Sequence, residues 1–288
     1  NHKNIEINLF LARLFSFEKE YDLSIKLYKE TLSLYPSSIE AQIGIARVLA
    51  WQGNKAEALK QINIIYQNHP ENRSILLLRG WLLGITGQLD ESIENYQPLL
   101  DKNPNDLEAL GGIAKIYKWQ NKTNMSMPLY KQILELDPSN IDVLINMGIL
   151  YSRVGNGEKA ITTLQKAKKL APKRVDVRIW LGTLLNWQAK KEAAITELKQ
   201  AIALDDNDLS SYLSLGKVYR QQQSVKEAIN IYLNVLKRNP ENIEALASLG
   251  DIYLGEGNWS LAESYYKKAL SIKKDDPFST KGLKRLTQ

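Results

Sequence analysis

Small and large apolar residues recur along this chain on one fixed beat. Pro36, Pro70, Pro104, Pro138, Pro172 and Pro240 stand 34 residues, or a multiple of 34, apart, and the two missing beats fall on Asp206 and Lys274. With the proline at position 32, eight repeats run 5–38, 39–72, 73–106, 107–140, 141–174, 175–208, 209–242 and 243–276 without insertion or deletion. Position 8 is always Gly or Ala: Ala12, Ala46, Gly80, Ala114, Gly148, Gly182, Gly216, Gly250. Position 20 is also small throughout, from Ser24 and Ala58 to Ala262. Position 11 is large (Phe15, Leu49, Leu83, Tyr117, Tyr151, Leu185, Tyr219, Tyr253), as is position 24 (Tyr28, Ile62, Tyr96, Tyr130, Leu164, Leu198, Tyr232, Tyr266). These spacings of three and four residues are helical. Small residues let two helices approach closely, and the large ones fill the space beside them.

Position 34 marks where the first helix of each repeat begins. It reads Ser38, Asn72, Asp106, Asn140, Arg174, Asp208, Asn242, Asp276, and all but Arg174 are good N-caps. Acids follow at position 2 as Glu40, Glu108, Asp142, Asp176 and Glu244, where the helix dipole favours them. Gly53, Gly87, Gly155 and Gly257 at position 15 mark a turn in mid-repeat. Each repeat therefore predicts an A helix, a short turn, a B helix and a proline turn. A period of this size means that each repeat buries its apolar face on its neighbours. The predicted fold is all-α, an α-solenoid, with residues 277–288 as a C-terminal capping helix whose Lys281, Lys284 and Arg285 keep the open end wet. Pro98 and Pro128 lie inside B helices and are expected to bend or shorten them.

The pattern resembles the tetratricopeptide repeat: large and small residues at positions 7 and 8, a large residue at 11, Ala at 20, an aromatic at 24 and Pro at 32. The resemblance spans nearly the whole chain. It departs at position 4, which is Asn8, Gln42, Leu76, Leu110, Leu144, Arg178, Tyr212 and Leu246 and never Trp. The resemblance implies a right-handed superhelix of helix pairs whose A helices line a concave groove, binding peptides, extended segments or other proteins without catalysis.

Composition excludes more than it identifies. There is no cysteine, so disulfides, thiolate catalysis and cysteine metal sites are out. No apolar run reaches membrane-spanning length. The net charge of +6 is modest and interspersed, which ranks nucleic acid last among partners. The chain starts at Asn1, so either a leader has been removed or a longer protein continues upstream. Lack of cysteine fits many cytosolic proteins; export to a periplasm or cell surface is the reading taken.

No catalytic constellation and no cofactor or metal site emerges. His2 and His69 have no nucleophile or second ligand beside them in the sequence. The string Gly155 to Ala160 matches a dinucleotide fingerprint, but that motif needs a preceding strand, and here it is a turn glycine and a packing alanine. Asp205, Asp206 and Asp208 lack the glycine and distal glutamate of a calcium loop. Asn72, Asn121, Asn124 and Asn258 begin Asn-x-Ser/Thr triplets, which are glycosylation sites only in a chain exported by a host that performs it.

The groove that the resemblance implies supplies the candidate binding residues. Position 5 is aliphatic or small in every repeat, and Arg13, Arg47, Lys115, Lys118, Lys217 and Arg220 add scattered charge at positions 9 and 12. The lysine and asparagine clamp of chaperone-binding members is missing. At position 13, Trp51, Trp119 and Trp187 recur in every second repeat, each followed by Gln52, Gln120 or Gln188, and Trp81 at position 9 extends the row. Tryptophans beside basic groups suit an extended peptide or a sugar ring; the competing reading is that each closes the seam to its neighbour. Residues 46–59 also resemble, over a short stretch, bacterial repeat proteins of exopolysaccharide export. The first A helix is crowded with apolar residues, and Ile7, Phe10 and Leu14 form a candidate self-association face. Three readings follow: a scaffold capturing a protein, peptide or polysaccharide in the groove; a subunit stacking end to end into filaments; or the recruiting arm of a larger enzyme.

Overall fold

A computed structural model describes residues 2–286, with side chains from residue 5 onward; the His2 side chain lies outside them. The described residues form seventeen helices and no strand. They are α1 (His2–Phe17), α2 (Tyr21–Leu34), α3 (Ile39–Trp51), α4 (Lys55–Asn68), α5 (Arg73–Ile85), α6 (Leu89–Lys102), α7 (Leu107–Trp119), α8 (Thr123–Leu136), α9 (Ile141–Arg153), α10 (Gly157–Leu170), α11 (Val175–Trp187), α12 (Lys191–Leu204), α13 (Leu209–Gln221), α14 (Val225–Arg238), α15 (Ile243–Gly255), α16 (Trp259–Ile272) and α17 (Pro277–Leu286). Odd-numbered helices are the A helices and even-numbered ones the B helices, as the 34-residue beat predicts. The chain divides into two compact halves, 1–143 and 144–288. In the first, α1 packs on α2 and α3, and α3 on α4 and α5; in the second, α11 packs on α12 and α13, and α15 on α16 and α17.

The caps act where the sequence places them. The Ser38 hydroxyl accepts from the Ala41 N–H, Asn72 from Ser74 and Ile75, and Asp106 from Glu108 and Ala109. Asn140, Asp208, Asn242 and Asp276 do the same for Val143, Ser211, Ala245 and Ser279. Arg174 has no capping oxygen; its guanidinium pairs with Asp176 instead. Pro98 and Pro128 do not shorten their helices: α6 and α8 each run 14 residues, as α4 does. Both prolines are exposed, so neither ring displaces a packed neighbour.

Large residues at position 24 fill the space left at position 8. A Cβ on Gly80 would lie 2.5 Å from the Tyr96 Cζ, one on Gly182 2.7 Å from the Leu198 Cγ, and one on Gly216 2.7 Å from the Tyr232 Cζ. Where position 20 is serine, its hydroxyl donates to the carbonyl at position 8: Ser24 to Ala12 (2.7 Å), Ser92 to Gly80 (2.7 Å) and Ser126 to Ala114 (2.8 Å). The close helix approach read from size alone is thus also hydrogen-bonded in three repeats.

The mid-repeat turn is uniform. Gly53, Gly87, Gly155 and Gly257 have positive φ, and so do Lys19, Asn121, Ala189 and Gln223 at the same position of the other four repeats. Every repeat requires a left-handed residue there, and half of them meet that requirement without glycine.

Candidate binding surface on the A helices

The three position-13 tryptophans end A helices, and each leaves much of its ring in water: 38% for Trp51, 45% for Trp119 and 56% for Trp187. Part of the ring also serves the seam. Trp51 lies 6.1 Å from Phe17, ring to ring, and the Trp119 edge would sit 3.1 Å from a Cβ on Gly84. The glutamine that follows each tryptophan has a separate task. Gln52 Nε2 donates to Asp22 (3.3 Å) and Gln120 Nε2 to Asp90 (3.1 Å), both at position 18 of the preceding repeat, and the Gln188 amide covers Gly157. The two-repeat rhythm therefore separates into a displayed indole and a glutamine that stitches its repeat to the one before.

Several of the basic candidates are already paired. Arg13 is held by Glu40, and Lys217 by Glu244 at 2.6 Å, both from position 9 to position 2 of the next repeat. Arg220 meets Asp251 at 3.0 Å. Lys115 is exposed and Lys118 half-buried. In the second repeat the register breaks, because Ser74 stands where the acid would be. Arg47 consequently makes no ion pair among the described residues.

Arg47 opens onto a cleft of about 350 Å³ lined by Trp51, Arg73, Ser74, Leu77, Leu78, Trp81 and Glu108. It unites three predicted residues, Arg47, Trp51 and Trp81, over the apolar floor expected at position 5, here Leu77. Arg73 and Glu108, which the sequence did not single out, form its polar wall. The Arg73 guanidinium donates two 3.0 Å bonds to the Asp106 carboxylate and one of 2.5 Å to Glu108. Burial alone would raise the Asp106 carboxyl, but the Arg73 bonds and the N–H groups of Ala109 and Glu108 outweigh it and hold it below the ordinary aspartate value. Arg73 is thus paired with two carboxylates, and Arg47 is the cation of the cleft that lacks an ion pair of its own among the described residues.

In the second half, a cleft of about 630 Å³ is lined by Arg174, Val175, Asp176, Ile179, Trp180, Asp205, Asp208 and Ser210. Its acids are engaged: Asp205 accepts from the Asn207 N–H and Asp208 from Ser211, the turn and cap that the sequence predicts. Trp187, Lys217 and Arg220 line neither cleft. Among the described residues no group of three or more acids and histidines could hold a metal, and no helix is long and apolar enough to cross a membrane. Gly155 is a turn residue after helix α9, and Asn156 caps α10 through the Lys159 N–H, so the dinucleotide-like string has no strand before it. Asn72 and Asn258 use their side chains as caps, Asn121 occupies the left-handed turn, and Asn124 lies in α8.

Comparison with known proteins agrees with this architecture. A tetratricopeptide repeat model matches residues 187–236 and 213–278, and the model of the Psidin N-terminal TPR repeats region matches 50–181. Human tetratricopeptide repeat protein 16 is 27% identical over 118 residues, which cover 36% of this chain and 14% of the human protein. The chain thus spans about one-seventh of that relative's length. Among solved structures, the APC/C hetero-tetramer Cut9-Hcn1 superposes with a TM-score of 0.68 at 17% identity, over 93% of this chain and 53% of that one. A tetratricopeptide repeat protein from Parabacteroides merdae does so with a TM-score of 0.64 at 16% identity, over 99% and 100%. At these identities the structures share the fold alone. With its unbroken 34-residue period, its paired helices and matches to repeat models in both halves, the chain belongs to the tetratricopeptide repeat family.

Proposed function

We propose that the chain is a non-catalytic scaffold that captures an extended peptide segment of a partner protein in the cleft of its first half. The observation that carries this reading is the meeting of the Trp51 and Trp81 indoles with Arg47, which has no acid of its own. An aromatic or aliphatic side chain would fill the indole-lined floor, and a neighbouring carboxylate would answer Arg47. A neutral sugar ring would stack on the same indoles but would leave Arg47 unanswered, which favours an acidic peptide over a glycan.

The test is capture of a degenerate peptide library in which an aromatic residue is flanked by Asp or Glu. Arg47→Glu and Trp51→Ala each weaken capture by roughly tenfold or more, the usual cost of losing an interface anchor, while the melting temperature stays within a few degrees. Trp187→Ala serves as the control and leaves capture unchanged. Equal capture by all the variants, or selection of peptides lacking acids, overturns the reading.

A further inference from the structure

The exposed residues of α1 fall in register with the interfaces between repeats. Position 3 of the A helix is buried in the later repeats, as in Ala41, Ile75, Ala109, Val177, Ser211 and Ala245. Position 10 is buried likewise, as in Val48, Leu82, Ile116, Leu184, Val218 and Ile252. Position 6 meets the position-24 residue of the preceding B helix: Gly44 lies against Tyr28, Gly112 against Tyr96 and Gly282 against Tyr266, and the Tyr232 phenol lies beside Ser248. In the first repeat these three positions are Ile7, Phe10 and Leu14, exposed by 53%, 63% and 42%. Spaced three and four residues apart, they share one helix face. The first A helix therefore presents the same surface that every later A helix buries.

Within each half, a large residue at position 6 follows a branched aliphatic at position 24 and never a tyrosine, although Leu198 also precedes the small Ser214. In the contacts just described, tyrosine at position 24 faces glycine or serine at position 6. Where position 6 is large, as Leu78 or Trp180, the preceding position 24 is Ile62 or Leu164. Ile62 and Leu78 share one buried cluster. Phe10 belongs to the large class, so its complement is a branched aliphatic and not a tyrosine.

We propose that Ile7, Phe10 and Leu14 form a repeat seam that receives one amphipathic helix of the B type. That helix carries Ala or Ser at its position 20 and Ile or Leu at its position 24, opposite Phe10. The same pairing of sizes also argues against a second copy docked head to tail. The last B helix, α16, offers Tyr266, whose ring already fills the space against Gly282, and Phe10 would need that same space.

Grafting tests the proposal on the full chain. Residues 55–72, which comprise α4 with Ala58, Ile62 and the proline turn, replace residues 1–4, so the turn leads into Ile5 as it natively leads into Arg73. A second graft carries Ile62→Tyr. The isoleucine graft is expected to raise the melting temperature by several degrees and to slow amide exchange along α1 by about tenfold or more. The tyrosine graft does neither on the wild-type chain but does both on Phe10→Gly, where the isoleucine graft loses its advantage. Equal effects of the two grafts, no effect of either, or no reversal on Phe10→Gly overturns the proposal. So does concentration-dependent light scattering of the ungrafted chain that Phe10→Glu abolishes, because the seam would then take a second copy.

Discussion

Tyr96 fits beside Gly112 because the glycine has no side chain: a Cβ there would lie 2.5 Å from the ring Cζ and 2.9 Å from the phenol oxygen. The ring is bounded on its other side by Gly80, so it has little room to withdraw. Gly112→Ala should destabilise the first half by about 2 kcal/mol, the usual cost of overpacking a filled site. Tyr96→Leu, which reproduces the leucine of the fifth and sixth repeats, should tolerate the alanine. A double-mutant cycle by urea denaturation checks this, and additive effects would show that ring and glycine do not compete for space.

Ala189 holds the left-handed turn with a φ of 57°, where the equivalent Gly87 has 90°. A Cβ in that region costs about 1 kcal/mol. Ala189→Gly should therefore stabilise the chain by roughly that amount, with part of the gain offset by the greater freedom of glycine in the unfolded chain. Gly87→Ala should cost about as much. No contact accompanies the alanine at position 87, since nothing lies within 4 Å of a Cβ there. Paired thermal melts decide the matter, and a loss of stability in Ala189→Gly refutes the strain argument.

Asp106 links the cleft to acid stability. Its folded carboxyl is held below the ordinary aspartate value by Arg73 and two backbone N–H groups, against the opposing effect of burial. The unfolded chain then binds the proton more readily, so this contribution is fully present above the unfolded value, near pH 4, and is lost as pH falls through the folded one. Asp106→Asn keeps an N-cap oxygen but removes the ion pair. It should lower stability at neutral pH by about 1 kcal/mol and flatten the acid limb of a stability–pH curve between roughly pH 5 and pH 2. An unchanged acid limb would show that the Arg73 pair contributes nothing.

Glu197 joins two cations in the second half, accepting from Lys168 Nζ at 2.6 Å and from Arg178 Nη1 at 2.8 Å, with little of its side chain in water. Glu197→Gln leaves both cations facing a neutral amide and should cost about 2 kcal/mol, because removing one member of a withdrawn network strands the others. The exposed helix-surface pair Lys267–Glu263, at 2.7 Å, is the comparison: Glu263→Gln should change stability by no more than about 0.5 kcal/mol. Similar losses for the two variants would place both pairs in the same solvent-screened class.

The sequence by itself determined the helices, their order and their caps. Each of those features depends on residues close along the chain: proline stops, Ser38 or Asn242 as caps, and Ala or Gly at position 8 one helical turn from a large neighbour. A fixed period repeats such local signals eight times, which is why the repeats and the rejection of the dinucleotide-like string were legible. Only the tertiary structure decided what depends on which repeat stands next to which. Gln120 differs from an ordinary surface glutamine only once Asp90 lies beside it. Arg47 differs from Arg13 because Ser74 replaces an acid in the following repeat. Those pairings join residues sixteen to thirty-odd positions apart whose side chains meet only when the helices stack, so neither helical periodicity nor composition carries them.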